Sequence, residues 1–285
     1  MTSTPQWQID RVREYYLATT AKSYLDGWAK GSLGFHFGLA DESTRSHEQS
    51  LLATNEYLAG RAKITAGTRI LDAGCGVGGS SLYLAQSLGA RAVGVSLVQE
   101  QIAVARELAR ERGLQEVVAF ECVDMLDTPF PARSFDVVWN IESLCHVVDA
   151  GAYFAHVLEL LDDGGRFACI DLCRAESCDE ATERLVTEGW ALAPLRTPAA
   201  VVSALNEAGF VEVEHVDLTA RAMLSAQALK AAASQRLLTL RAERAFAGKE
   251  EPLYEAHCRA ALAMVEGMES GQTAVSHFLA VRPPR

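Results

Sequence analysis

Asp72-Ala-Gly74-Cys75-Gly76-Val77-Gly78-Gly79 sets an acid two residues ahead of a run of glycines. Glycine reaches positive φ and has no Cβ, so such a turn lets backbone approach a ligand under the N-terminal end of a following helix. The order is Asp-x-Gly-x-Gly-x-Gly, which is not the G-x-G-x-x-G spacing of dinucleotide sites. A carboxylate at this place repels a pyrophosphate and attracts a cationic group. A second stretch with chemical potential is Asn140-Ile-Glu142-Ser143-Leu-Cys-His146. Its carboxyl and imidazole stand four residues apart and share a face if the stretch is helical. The carboxylate could stabilise developing positive charge or take a proton, and the imidazole could act as a base. Plainer readings stand beside these: a glycine turn with no ligand, a glutamate that caps the following helix, and a hydrogen-bonded packing histidine.

The elements that must hold these residues alternate from residue 67 onward. Residues 68–71 read as a buried strand, and residues 80–88, with Leu82, Leu84, Ala85 and Leu88 spaced for one face, read as the next helix. Strands follow at 91–96, 117–124, 135–140 and 165–171, with helices at 99–112 and 152–161, the signature of right-handed βαβ units in a parallel sheet. Later the spacing changes to a helix at 197–208 closed by Gly209, a strand at 211–218, a long helical insertion from 220 to 247 and a strand at 275–281. Every candidate motif ends a strand on one side of such a sheet, where open α/β sheets bind ligands. Upstream, residues 6–30 carry Trp7, Ile9, Val12, Tyr15, Tyr16, Tyr24 and Trp28, which suits one or two amphipathic helices. They lie over the domain surface, a subunit partner or a substrate pocket. A glycine-bounded loop, 31–38, and a helix at 44–62 complete the N-terminal part. The division expected is a helical lid segment at 1–62 and a core at 63–285, with a helical cap at about 220–272.

Composition narrows the class. At 285 residues and 49% hydrophobic content the chain can build one large α/β domain with additions. A formal charge of −11 argues against nucleic acid and anionic membranes as partners, leaving small molecules. Seven cysteines without a C-x-x-C pair read as reduced core thiols, and no metal is implied. The N-terminus lacks the basic-then-apolar order of a signal peptide and no apolar run is long enough to cross a bilayer, so a cytoplasmic location is expected. The aromatic N-terminal helices make a homo-oligomer plausible.

On the glycine turn and its ordered followers, the chain resembles class I, Rossmann-like S-adenosylmethionine-dependent methyltransferases over roughly residues 11–175. That family implies a seven-stranded, mostly parallel sheet with helices on both faces, an antiparallel last strand, an N-terminal helical lid and a helical insertion before that strand. It also implies S-adenosylmethionine held by Asp72, Gly74, Cys75, Gly76 and Gly78. Many members end the second strand with an acid for the ribose; here Ser96-Leu97 and Gln101 stand there instead. That form resembles the branch of tocopherol methyltransferases, cyclopropane-fatty-acid synthases and prenyl-diphosphate C-methyltransferases. A hydroxyl and an amide can hydrogen-bond a diol without charge, although Gln101 taken alone also fits an exposed helix position. Asp124-Met125 resembles the family's adenine site, Asn140 would bring its backbone or amide to the methionine moiety, and His36-Phe37-Gly38 resembles a stretch folded over the cofactor.

The Asn-x-Glu-Ser form implies a glutamate, Glu142, facing a carbocation, with Tyr15, Tyr16, Trp28, Phe35 and His36 about the substrate and aromatic faces aiding by cation–π attraction. The expectation is carbon methylation of an isoprenoid alkene or prenyl chain in specialised metabolism. Its rivals are O- or N-methylation of a phenol, carboxylate or amine with His146 or Glu142 as base, and a non-catalytic protein that binds the cofactor.

Overall fold

Strands β1 (Arg69–Ala73), β2 (Arg91–Ser96), β3 (Val118–Cys122), β4 (Phe135–Ile141) and β5 (Leu161–Arg174) each carry an apolar stretch, as strands covered on both faces do; in β5 it is residues 167–173, interrupted by Asp171. In the computed structural model, which describes residues 3–20, 31–44, 46–247 and 251–284, they join β6 (Val211–Asp217) and β7 (Thr273–Val281) in one seven-stranded sheet. The strand order is β3-β2-β1-β4-β5-β7-β6, with β7 antiparallel to both β5 and β6. This is the Rossmann-like sheet expected from the sequence.

Alternation along the strands divides the core in two. Ile70, Val137 and Ala168 face one apolar layer, and Leu71, Val138 and Phe167 face the other. The first layer is covered by α2 (His47–Ala62), α3 (Gly79–Leu88), α4 (Gln99–Glu111), α8 (Thr219–Ala247) and α9 (Pro252–Ser270). The second is covered by α5 (Ala150–Leu160) and α7 (Pro198–Glu207). Tyr15 of α1 (Gln6–Thr20) and Leu33, Phe37 and Leu39 of the following loop belong to the first layer, so the N-terminal part shares its core with the sheet.

Local chemistry sets the helix limits. Ser46, Asp149, Asp179 and Thr197 each accept a backbone N–H at a helix start, and Gly89 and Gly271 close helices in the left-handed region. The helix α6 (Glu180–Gly189) has no counterpart in the sequence reading; its buried face is little more than Val186 and Gly189. The helical cap expected at about 220–272 is a helical pair, α8 and α9. The stretch after β4 is not an α-helix: Glu142 has φ 47° and a single 3-10 turn, Leu144–His146, follows. Glu142 and His146 therefore do not meet by helical spacing. Tyr24 and Trp28 lie outside the described residues. No described helix is long and apolar enough to cross a membrane.

Candidate active site

The site is built where β1 and β4 end side by side. Gly74, Gly76 and Gly78 all take left-handed φ values of 92°, 55° and 87°, which L side chains adopt at a cost. Gly74 has a second constraint, since a Cβ there would stand 2.4 Å from the Ser143 side chain. Asn140 fixes that approach. Its amide donates to Ala73 O at 2.9 Å and to Ser143 Oγ at 2.7 Å, while Tyr153 Oη donates to Asn140 Oδ1 at 2.7 Å. These bonds lock the ends of β1 and β4 together inside the protein, with Asn140 fully buried. On the other side, a Cβ on Gly79 would sit 2.6 Å from Leu33 O, so the 31–38 loop lies directly on the start of α3.

Two cavities open from this junction, about 490 Å³ and about 700 Å³ counted with the solvent at their mouths. The larger is a groove along the strand ends, lined by Gly74, Gly76, Ser96, Leu97, Gln101, Asp124 and Met125. The smaller is aromatic, with Tyr15, Phe37, Trp190 and His257 in its wall. Tyr16, Phe35, Glu142 and His146 line both cavities and form the partition between them.

Within the groove, Ser96 Oγ donates to Gln101 Oε1 at 2.8 Å and accepts from Val98 N at 3.1 Å. Gln101 is 2% exposed, which excludes the exposed-helix reading. Asp124 accepts from both the backbone N and the hydroxyl of Thr4, at 2.8 and 2.9 Å, so the N-terminal segment closes that end.

At the partition, Glu142 holds a strained left-handed backbone, and its Oε1 accepts from Phe37 N at 2.7 Å. It caps no helix. Burial, reinforced by the Asp171 charge, holds its carboxyl well above the ordinary glutamate range. His146 is bonded at both nitrogens. Nδ1 faces Ala191 O at 3.1 Å; a carbonyl can only accept, so Nδ1 carries the proton and Nε2 accepts from Tyr16 Oη at 3.0 Å. Burial pushes this imidazole down to about 4, leaving it neutral at neutral pH. Gln8 Nε2 braces the same corner by donating to Ala191 O at 3.1 Å and His146 O at 3.3 Å.

Several expected residues stand elsewhere. The Asp72 side chain turns under the glycine turn and accepts from Ser81 Oγ at 2.6 Å, with burial raising it to about 6; it does not line the groove. Cys75 and Gly78 do not line it either, Gly78 because a Cβ there would meet Phe120 at 2.5 Å. Asn140 spends its amide on the strut described above. Phe37 lines the aromatic cavity instead of the groove, and Gly38 lines neither, packing 2.0 Å (as a built Cβ) from Ser50 Oγ. Tyr15, Tyr16, Phe35 and His36 all line the aromatic cavity. Gln8, Val12, Trp190 and His257 were missed in the sequence, because their positions depend on how α1, α6 and α9 cross the sheet.

Residues 71–169 match the family model described as a methyltransferase domain. Over those residues the chain is similar to methyltransferases. Over 216 residues it is 30% identical to the cycloartenol-C-24-methyltransferase of Arabidopsis thaliana, covering 73% of this chain and 62% of that relative. The chain spans 62%, 58% and 44% of the lengths of three curated relatives it matches. Among solved structures, the [4+2]-cyclase SpnF superposes with a TM-score of 0.76 at 23% identity, covering 96% of each chain. A geranyl diphosphate C-methyltransferase from Streptomyces coelicolor A3(2), in complex with Mg2+, geranyl diphosphate and S-adenosyl-L-homocysteine, superposes with a TM-score of 0.73 at 21% identity, covering 98% of each chain. At these identities the structures show a shared fold alone.

Proposed function

We propose that the chain is an S-adenosylmethionine-dependent methyltransferase that methylates a carbon of an isoprenoid alkene or prenyl chain on a small apolar molecule. The observation that carries this reading is Glu142, a half-buried carboxyl in the partition between a polar groove and an aromatic cavity. The groove fits the cofactor: glycines in left-handed conformation line one part, and Ser96, Gln101 and Asp124 bring a hydroxyl, an amide and a carboxylate to it, each already bonded within the protein, so that a diol and an amine would share or displace those bonds. When bound there, S-adenosylmethionine supplies an electrophilic methyl group on a sulfonium.

The chain's own residues do the rest. The aromatic cavity offers apolar walls that hold the acceptor beside the partition. An alkene that takes up a methyl cation equivalent is left with a positive carbon. Glu142 stabilises that charge as the carboxylate or removes the neighbouring proton to restore an alkene, and the faces of Tyr16 and Phe35 attract the cation. A carboxyl held high by burial ionises more readily once a cation stands next to it.

Methylation of a heteroatom is favoured by one specific feature. The neutral His146, with Nε2 accepting from Tyr16, could take a phenolic or amine proton through that tyrosine. Labelled S-adenosylmethionine offered with two acceptor pools separates the two readings. Label is expected in alkene-bearing isoprenoids and prenylated aromatics; label confined to saturated phenols, amines and carboxylates would assign heteroatom chemistry and make His146 the residue to test.

A further inference from the structure

The aromatic cavity has a polar feature that carbon methylation does not use. His257, on α9, is 6% exposed and lines the cavity wall. Its ring is held flat between neighbours, stacked on Tyr254 at 5.5 Å and 4° and on Phe35 at 5.8 Å and 24°. Trp190 Nε1 donates to its backbone carbonyl at 3.1 Å. Tyr15 Oη meets its Nδ1 at 2.8 Å, leaving Nε2 without a hydrogen-bond partner among the described residues. The residue is buried, but Nε2 is not among the fully buried atoms that lack a partner, so it opens onto the cavity, where a ligand can reach it. With Nδ1 occupied by the tyrosine, Nε2 is set to pair with a group inside the cavity.

The charge of the wall defines that group. Burial holds His36, His146 and His257 each at about 4, so all three are neutral, and the acid among the described lining residues is Glu142. A diphosphate placed here would lose its water against neutral imidazoles, aromatic rings and a carboxyl, an arrangement that repels it. An alcohol or carbonyl oxygen would meet one neutral hydrogen bond.

We infer that His257, oriented by Tyr15, is a substrate-anchoring residue that reads a neutral hydroxyl or carbonyl oxygen on the methyl acceptor, so that the cavity selects uncharged isoprenoids over prenyl diphosphates. This rests on the reading of the cavity as an alkene-acceptor site. The anchor fixes which end of an otherwise apolar chain faces the partition, and so which double bond is presented to Glu142.

The test measures labelled methyl transfer by the full-length protein to geraniol and farnesol, to their diphosphates, to the hydrocarbons myrcene and farnesene, and to a pool of saturated phenols and amines. The alcohols are expected to be methylated with kcat/KM roughly tenfold above the hydrocarbons, the worth of one neutral hydrogen bond, and well above the diphosphates. In His257→Phe, which keeps the stacked ring, and in Tyr15→Phe, the alcohol-to-hydrocarbon ratio should fall towards one, chiefly through KM. Either variant suffices if the other does not fold. Preference for the diphosphates, or an alcohol-to-hydrocarbon ratio unchanged in both variants, would overturn the anchor while leaving alkene methylation standing. Label found in the phenol and amine pool alone would overturn the parent reading and the anchor with it.

Discussion

Glu142 combines two unfavourable local states, a left-handed backbone at φ 47° and a half-buried carboxyl near the charge of Asp171. Strained non-glycine positions of this kind cost about 1–3 kcal/mol and persist where the surroundings impose them. The backbone of Glu142 is fixed by donation to Ile170 O at 2.8 Å and its side chain by Phe37 N, so the strain is held from both sides. Glu142→Gln keeps an acceptor for Phe37 and removes the ionisable group. Alkene methylation should fall by roughly a hundredfold or more in this variant, the scale on which loss of a charge-stabilising group acts. The wild-type kcat/KM should also drop as pH falls through a value above the ordinary glutamate pKa, because the protonated form cannot offset a cation, and this acid limb should vanish in the variant. Stability runs the opposite way. A folded pKa above the unfolded one favours folding below the ordinary glutamate range and loses that contribution as pH rises, so Glu142→Gln should gain on the wild type in denaturant midpoint with increasing pH. A flat rate profile shared by both proteins would contradict the role given to the carboxyl.

The glycine turn works because the elements on either side are tied to each other. Tyr153 on α5 donates to Asn140 on β4, Asn140 donates to Ala73 at the end of β1, and Gly74 then passes close to Ser143. Tyr153→Phe removes the donor and leaves the Asn140 carbonyl oxygen buried without a partner. The expected loss is about 1–3 kcal/mol, read as a lower denaturant midpoint at unchanged slope, with weakened binding of S-adenosylhomocysteine. This strut also marks how far the sequence could be read. The turn, its strand and its helix were legible because φ-permissive glycines and a 3.6-residue apolar spacing are local signals, and Asn140 could be placed at a strand end. Which way its amide points depends on Tyr153 and Ala73, from other elements. The same holds for His257 and Trp190. They enter the cavity because Gly189 on α6 packs so tightly on α9 that a Cβ would stand 2.5 Å from Ala256 O, a contact with no trace in either helix's own pattern. Asp72 shows the same limit: the motif locates the acid, while Ser81 decides that its carboxylate lies beneath the turn.

Across the whole molecule, α1 bridges both sides of the cleft with side chains that reach loop carbonyls. Arg13 donates to Leu97 O at 2.9 Å beside the groove, and Arg11 donates to Leu192 O at 3.2 Å beside the aromatic cavity. Thr4 occupies Asp124, and Trp7 and Leu17 remain exposed. A helix tethered largely by such bonds belongs to the less stable part of a fold, unlike α5, whose Tyr153 and Phe154 are fully buried. Filling the groove should stabilise it. Amide exchange in α1 and the 31–38 loop is expected to slow when S-adenosylhomocysteine is added, with α5 and α7 unchanged. Equal protection in all four segments would instead indicate a uniform gain in global stability, with no lid.

The most direct measurement follows an isotope-labelled methyl group from S-adenosylmethionine to its product and identifies by NMR the atom that receives it, with the wild type and Glu142→Gln run side by side. The predicted result is label on a carbon of the isoprenoid chain in the wild type and loss of that product in the variant. Label on oxygen or nitrogen, or an undiminished carbon-methylated product from Glu142→Gln, would contradict carbon methylation through a cation held by Glu142.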